Sequence, residues 1–189
     1  MNKLFLLAAI FVSASASTFA QSDDYNKNEY YVGYSNQQVE NGERRGFNGF
    51  EAAYVRNFHR YFGAKADFSA AYFRETTTSG NVTSKERRSI YNFLGGVQVK
   101  DNTSEARLKP FGHLLVGAGY TRNRFLCPNC LIPDLKITDT GFAAAVGGGL
   151  DIRLSEKVNL RAIQVDYNPV RANGRTLDNV RLGIGVSFK

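Results

Sequence analysis

Apolar residues return at every second position along most of the chain, the spacing of strands with one greasy and one polar face. Over residues 61–73, Phe62, Ala64, Ala66, Phe68, Ala70 and Tyr72 share one face, and Gly63, Lys65, Asp67, Ser69 and Ala71 the other. Residues 140–153 set Phe142, Ala144, Val146, Leu150 and Ile152 against Gly141, Ala143, Ala145, Gly147, Gly149, Asp151 and Arg153. The last segment sets Val180, Leu182, Ile184, Val186 and Phe188 against Asn179, Arg181, Gly183, Gly185, Ser187 and Lys189. The same alternation runs through residues 49–55, 91–100 and 113–120, and more weakly through 30–37. Helical periodicity is almost absent.

One segment breaks the rule. Val158, Leu160 and Ala162 begin an apolar frame into which Gln164 and Asp166 then fall. A β-bulge near Ala162 and Ile163 restores the alternation. The pattern then predicts eight strands. Connections after the second, fourth and sixth are short (57–60, 101–107, 155–157), while residues 38–46, 74–88, 123–139 and 169–177 form longer polar links, expected as loops. An even strand count, with short turns at one end and long links at the other, predicts an all-β, eight-stranded, antiparallel up-and-down transmembrane β-barrel. A secreted soluble barrel is the competing architecture, with its apolar face turned inward.

The charges choose between them. Glu51, Lys65, Asp67, Lys100, Lys109, His113, Asp151, Arg153, Arg161 and Arg181 share the face that holds most strand glycines. Both signs are present, so they can pair across a narrow lumen, where Gly and Ala leave room for long side chains. An apolar core would need filling instead. Tyr61, Phe62, Tyr72, Phe73, Tyr120, Phe142 and Phe188 are candidates for the two interfacial girdles. The greasy face is therefore expected to meet lipid.

Composition fits this picture once the N-terminus is set aside. A basic start at Lys3, an apolar run over residues 4–12 and small residues up to Ala20 have the form of a signal peptide cleaved after Ala20, leaving residues 21–189 as the barrel. Mean hydropathy is −0.31 and no later run nears the roughly 18 apolar residues of a spanning helix, which excludes helical membrane proteins and not barrels. The net charge of +7 falls to +6 with Lys3 and divides between lumen and rim, so it does not point to nucleic acid.

The chain resembles the small eight-stranded outer-membrane β-barrel family, the OmpA-like transmembrane barrel domains. The likeness is carried by Gly49-Phe50-Glu51-Ala52-Ala53-Tyr54, Arg60-Tyr61-Phe62-Gly63-Ala64-Lys65-Ala66-Asp67, Tyr91-Asn92-Phe93-Leu94-Gly95-Gly96, Lys109-Pro110-Phe111-Gly112-His113 and Phe142-Ala143-Ala144-Ala145-Val146-Gly147. It implies a bacterial outer-membrane location, lipid and lipopolysaccharide as surroundings, and a C-terminal strand read by the barrel-assembly machinery. Members end in an aromatic residue; here Phe188 is penultimate. No periplasmic OmpA C-terminal domain is expected to follow.

Candidate chemistry is sparse. Cys127 and Cys130, with Pro128 and Asn129 between them, are the only cysteines; in an oxidising compartment a disulfide is the default, ahead of redox catalysis or a metal site. Glu51, Lys65, Asp67, Lys109, His113, Asp151, Arg153, Arg161 and Arg181 are expected to form a lumen charge network. An esterase or acyltransferase site would need a serine such as Ser69 beside His113 and an acid, which nothing in the sequence arranges. Arg44, Arg45, Arg74, Lys85, Arg87 and Arg88 are candidate contacts to lipopolysaccharide phosphates. No catalytic residue, metal or cofactor is expected. The resulting expectation is a monomeric structural, adhesion or surface-binding barrel whose surface ligand is unidentified; a narrow channel and a lipid-modifying enzyme are the alternatives.

Overall fold

The computed structural model describes residues 25–41, 43–79, 82–103, 105–128, 134–172 and 175–189. The expected signal peptide lies outside them. The strands are β1 (Asn28–Asn41), β2 (Glu43–Asn57), β3 (Phe62–Ser79), β4 (Val82–Lys100), β5 (Leu108–Leu126), β6 (Asp134–Arg153), β7 (Val158–Tyr167), β8 (Val170–Ala172) and β9 (Arg175–Phe188). Each pairs antiparallel with its neighbour, and β9 returns to β1 from Tyr30↔Phe188 to Glu40↔Asp178, so the sheet closes. The three residues of β8 continue β7 beyond Asn168 and Pro169, where proline has no N–H for the ladder. The Asn168 amide donates to Asn179 O at 2.8 Å and Ala144 N to Pro169 O at 3.1 Å, which keeps the interrupted strand in place. The ring therefore has eight staves, as the alternation predicts.

The bulge is where the alternation needs it. Leu150 faces Ile163 while Asp151 faces Arg161, so Ala162 is the extra residue. Arg161 is buried before it and Gln164 and Asp166 after it, while Ile163, Val165 and Tyr167 turn outward.

The long polar links are the main departure from expectation. Residues 74–88 are ladder from Arg74↔Arg87 to Ser79↔Val82, and β5 and β6 stay paired up to Leu126↔Asp134. At 18 to 20 residues, β3 to β6 are about twice the 9–11 residues that cross a bilayer. Beyond the membrane both faces of a hairpin meet water, so alternation disappears while backbone pairing persists. Thr76, Thr77, Thr78, Val82 and Thr83 favour that pairing.

Outside, the wall is apolar: Phe93, Leu114 and Phe142 are 60%, 62% and 59% exposed. Phe62 and Tyr72 bracket the band on β3, ten residues apart, which for a strand tilted by about 40° gives a height of about 25 Å. Tyr72, Tyr91 and Tyr120 form a row towards the hairpin end, with ring centroids 5.9 and 6.0 Å apart. Tyr30, Tyr54, Phe62 and Phe188 lie towards the short turns. Phe73 is not a girdle residue: its position in β3 turns it inward, against Phe47 at 5.3 Å and a cluster of Val39, Ala71 and Ile90.

The glycines are of two kinds. A Cβ at Gly183 would meet lumen side chains at 3.4 to 3.6 Å, as expected of a residue that makes room. Gly96 and Gly117 face Leu115 and Leu94 across β4 and β5. A Cβ on either would strike the carbonyl of the facing strand, so close backbone approach, rather than lumen space, requires glycine there.

Candidate functional site: a closed lumen and a basic rim

Burial of a charge is tolerated only with a partner, and the lumen is arranged accordingly. Among the described residues, five carboxylates (Glu29, Glu51, Asp67, Asp151, Asp166) and five cations (Lys65, Lys100, Lys109, Arg161, Arg181) are buried inside. In the half near the short turns, Lys100 Nζ reaches Glu29 at 2.9 Å and Asp151 at 2.6 Å, and Arg161 Nε donates to Asp151 Oδ1 at 2.8 Å. The Arg161 guanidinium lies between the Tyr31 and Phe111 rings, 4.2 and 4.0 Å from their centroids. At mid-height Arg181 donates to Asp166 at 2.7 Å and to Asp67 at 3.0 Å, and Lys65 pairs with Asp67 at 3.2 Å and Glu51 at 3.7 Å. Gln164 joins the two groups, accepting from Arg161 and donating to Glu51 and Asp166.

Above these charges the lumen becomes neutral and then apolar. Asn92 donates to Ser69 and to Asn168, and Gln37 also donates to Asn168. Val39, Phe47, Ala71 and Ile90, with Phe73, fill the next layer, while Leu94, Leu115, Ala143, Ala145 and Val170 pack along the β4–β6 wall beside the charges and amides. Matched ion pairs, amides and an apolar stopper leave the interior closed.

Glu51, Lys65, Asp67, His113, Asp151, Arg161 and Arg181 lie within this set of contacts. Lys109 is buried but stands outside the pairs. Arg153 is at the short-turn mouth, paired there with Glu105. His113 Nε2 is 3.0 Å from Asp166, and its Nδ1 is 3.4 Å from Lys65, while Ser69 is engaged with Asn92. Glu29, Gln164 and Asp166 were not among the expected members. Glu29 precedes the first clear apolar position, and the other two are legible only once the bulge is placed.

The rim candidates separate by parity. Arg45 and Arg88 point inward, Arg45 onto Glu75 at 2.9 Å and Glu86 at 3.3 Å, and Arg88 onto Glu86. The side chain of Arg44 lies outside the described residues. Arg74, Lys85 and Arg87 face outward and are exposed. Three further cations join them: Arg87 stands opposite Arg74 and Arg124, Arg124 opposite Lys136, and Arg122 opposite Ser89. This makes a basic belt across β3, β4, β5 and β6, next to the tyrosine row, with a cleft of about 190 Å³ lined by Tyr72, Arg74, Arg87, Arg122 and Arg124. Arg124 donates two hydrogen bonds, 3.0 and 2.6 Å, to Asp134 and holds that carboxyl below the ordinary carboxylate range. Among the described residues, Arg74, Arg87, Arg122 and Lys136 make no ion pair. Like charges opposite one another on adjacent strands are unfavourable without a counter-charge. Cys127 is fully buried where β5 ends; Cys130 lies outside the described residues.

Comparisons with known proteins agree with this architecture. The family model for the outer membrane protein beta-barrel domain matches residues 4–189. The fold is similar to the crystal structure of Ail, the attachment invasion locus protein of Yersinia pestis, in complex with the heparin analogue sucrose octasulfate: TM-score 0.59, 17% identity, 85% of this chain and 97% of that one. It is also similar to Neisserial surface protein A (NspA): TM-score 0.60, 10% identity, 87% and 97% coverage. No curated protein matches the chain. With a ring closed by its own ladder, charges paired inside and a greasy band outside, this chain belongs to the outer membrane protein β-barrel family.

Proposed function

We propose that the protein is a non-enzymatic surface barrel, with hairpins facing out of the cell, whose basic belt binds the phosphates of the lipopolysaccharide packed around it. The observation that carries this is the cross-strand row Arg74–Arg87–Arg124–Lys136 beside the Tyr72–Tyr91–Tyr120 row. Tyrosines mark the height at which acyl chains give way to headgroups. Guanidinium groups just beyond that height meet phosphate oxygens with charge-assisted, bidentate hydrogen bonds. The complex of Ail with a polysulfated sugar supports the reading that a barrel of this shape presents a surface to clustered oxyanions. Arg74, Lys85 and Arg87 are then direct contacts, and Arg45 and Arg88 brace the hairpins through Glu75 and Glu86.

Several further assignments belong to the same reading. The chain is exported by a signal peptide cleaved after Ala20. A Cys127–Cys130 disulfide staples the β5–β6 hairpin beyond its last paired rung. Phe188, exposed at the end of β9, is the aromatic signal for the barrel-assembly machinery. The closed ring has no free edge, which suits a monomer.

The test compares wild type with an Arg74→Gln, Arg87→Gln, Arg122→Gln variant in nanodiscs titrated with lipopolysaccharide. Each lost charged hydrogen bond is worth about 1.5–3 kcal/mol, so affinity falls by at least about a hundredfold in the triple variant. It falls equally in wild type when the phosphates are removed enzymatically. Equal affinities for intact and dephosphorylated lipopolysaccharide would overturn the proposal.

A further inference from the structure

The short-turn end carries a second basic site, at the opposite mouth from the belt. In the β5–β6 ladder Lys109 stands opposite Asp151, and position alone would pair them. Asp151 is already taken, by Lys100 at 2.6 Å and Arg161 at 2.8 and 3.3 Å. Lys109 is 3% exposed and makes no ion pair among the described residues. Its neighbour is another ammonium, that of Lys189, which burial, and then the charges of Lys109 and Lys100, push down to about 8. Lys189 is fixed there by a backbone hydrogen bond to Lys157 O at 2.9 Å.

These residues line a polar cleft of about 480 Å³. Of its two acidic residues, Glu105 is neutralised by Arg153 and Glu156 is exposed. Lys109, Lys157 and Lys189 are left facing one space. A buried ammonium is unfavourable without a counter-charge, and two side by side are more so. Elsewhere inside this barrel each buried cation has a carboxylate at 3.4 Å or less. The exception therefore marks the place where an anion from outside the chain fits.

We propose that this cleft binds a single phosphate-class oxyanion, held by the ammonium groups of Lys109 and Lys189 with Lys157 at its rim. The phosphate is free, or it is the phosphate of a phospholipid headgroup in the leaflet at this end. Either source presents the same oxygens to the same three lysines.

The experiment uses refolded protein carrying Arg74→Gln, Arg87→Gln and Arg122→Gln, so that the belt does not contribute. In an uncharged sugar detergent, its thermal midpoint is followed by heat-modifiable gel mobility while inorganic phosphate replaces chloride at matched ionic strength. The midpoint rises saturably, and adding Lys109→Met abolishes the rise. The same protein broadens the phosphorus NMR line of inorganic phosphate, which needs no further variant. In phosphatidylglycerol bilayers a headgroup source is recognised by loss of the response to added phosphate; a free-phosphate source leaves that response intact. An unshifted midpoint with an unbroadened line in detergent, or a rise that survives Lys109→Met, overturns the proposal.

Discussion

Arg181 on β9 and Asp166 on β7 are joined by hydrogen bonds of 2.9 and 2.7 Å at the centre of the lumen, and they meet because β7 contains one residue too many. Without the bulge at Ala162, strict alternation would turn Asp166 to lipid. Deleting Ala162 is therefore expected to be tolerated, because Asp151↔Arg161 and Leu150↔Ile163 become consecutive rungs and Gln164 and Asp166 stay in the lumen with Arg161. Ala162→Gly keeps the count and is expected to fold. Loss of the heat-modifiable form in the deletion variant would show that the bulge itself, rather than the frame it preserves, is required.

The network should respond steeply to loss of one partner. Asp166→Ala leaves Arg181 with Asp67 at 3.0 Å and Glu51 at 3.6 Å, and strips His113 of its acceptor. Removing one member of a buried ionic group costs about 3–5 kcal/mol, against less than about 0.5 kcal/mol for Lys136→Gln on the rim. Urea unfolding in micelles, read by gel mobility, compares the two. Similar midpoints would mean that the lumen charges are solvated rather than paired.

Two glycine substitutions separate backbone approach from lumen space. Gly117→Ala forces a Cβ into the Phe93 carbonyl and is expected to lower the thermal midpoint strongly. Gly183→Ala places its methyl at 3.4 Å or more from Gln164, Tyr31 and Glu51 and is expected to be nearly neutral. The reverse order in a melting experiment would contradict the two-class assignment.

On the rim, the hydrogen bond from Arg124 keeps the Asp134 carboxyl below its ordinary range. A depressed carboxylate contributes stability above its unfolded value of about 3.9, and loses it as pH falls through the lower folded value. A carbon NMR titration should therefore show Asp134 ionised below the ordinary range in wild type and returned to it by Arg124→Gln. Superimposable curves would remove the pair from the account of the belt.

Much of the fold was legible because half the chain's faces meet lipid. Leu114, Phe142 and Ile184 alternate with His113, Ala143 and Gly183 under a constraint that water-exposed strands lack. The polar hairpins resemble loops in the sequence for the same reason. Between Arg74 and Arg88 both faces are polar, so period two vanishes although Arg74 still pairs with Arg87. Only half of the belt is legible for this reason: Arg74, Lys85 and Arg87 stand out as charge, while Arg122, Arg124 and Lys136 join them only when parity is carried past the membrane. Glu29 was hidden by its place at a strand start. The partners of each lumen charge were not legible, because strand stagger around the ring, rather than distance along the chain, sets who meets whom.

A lumen filled by its own ion pairs, amides and apolar side chains places the protein's work on its rims. Single-channel recording of refolded protein in planar bilayers tests this most directly. The closed lumen predicts insertion, verified by gel mobility of the reconstituted sample, with no resolved conductance steps. Discrete, reproducible steps from wild-type protein that disappear on unfolding would contradict it.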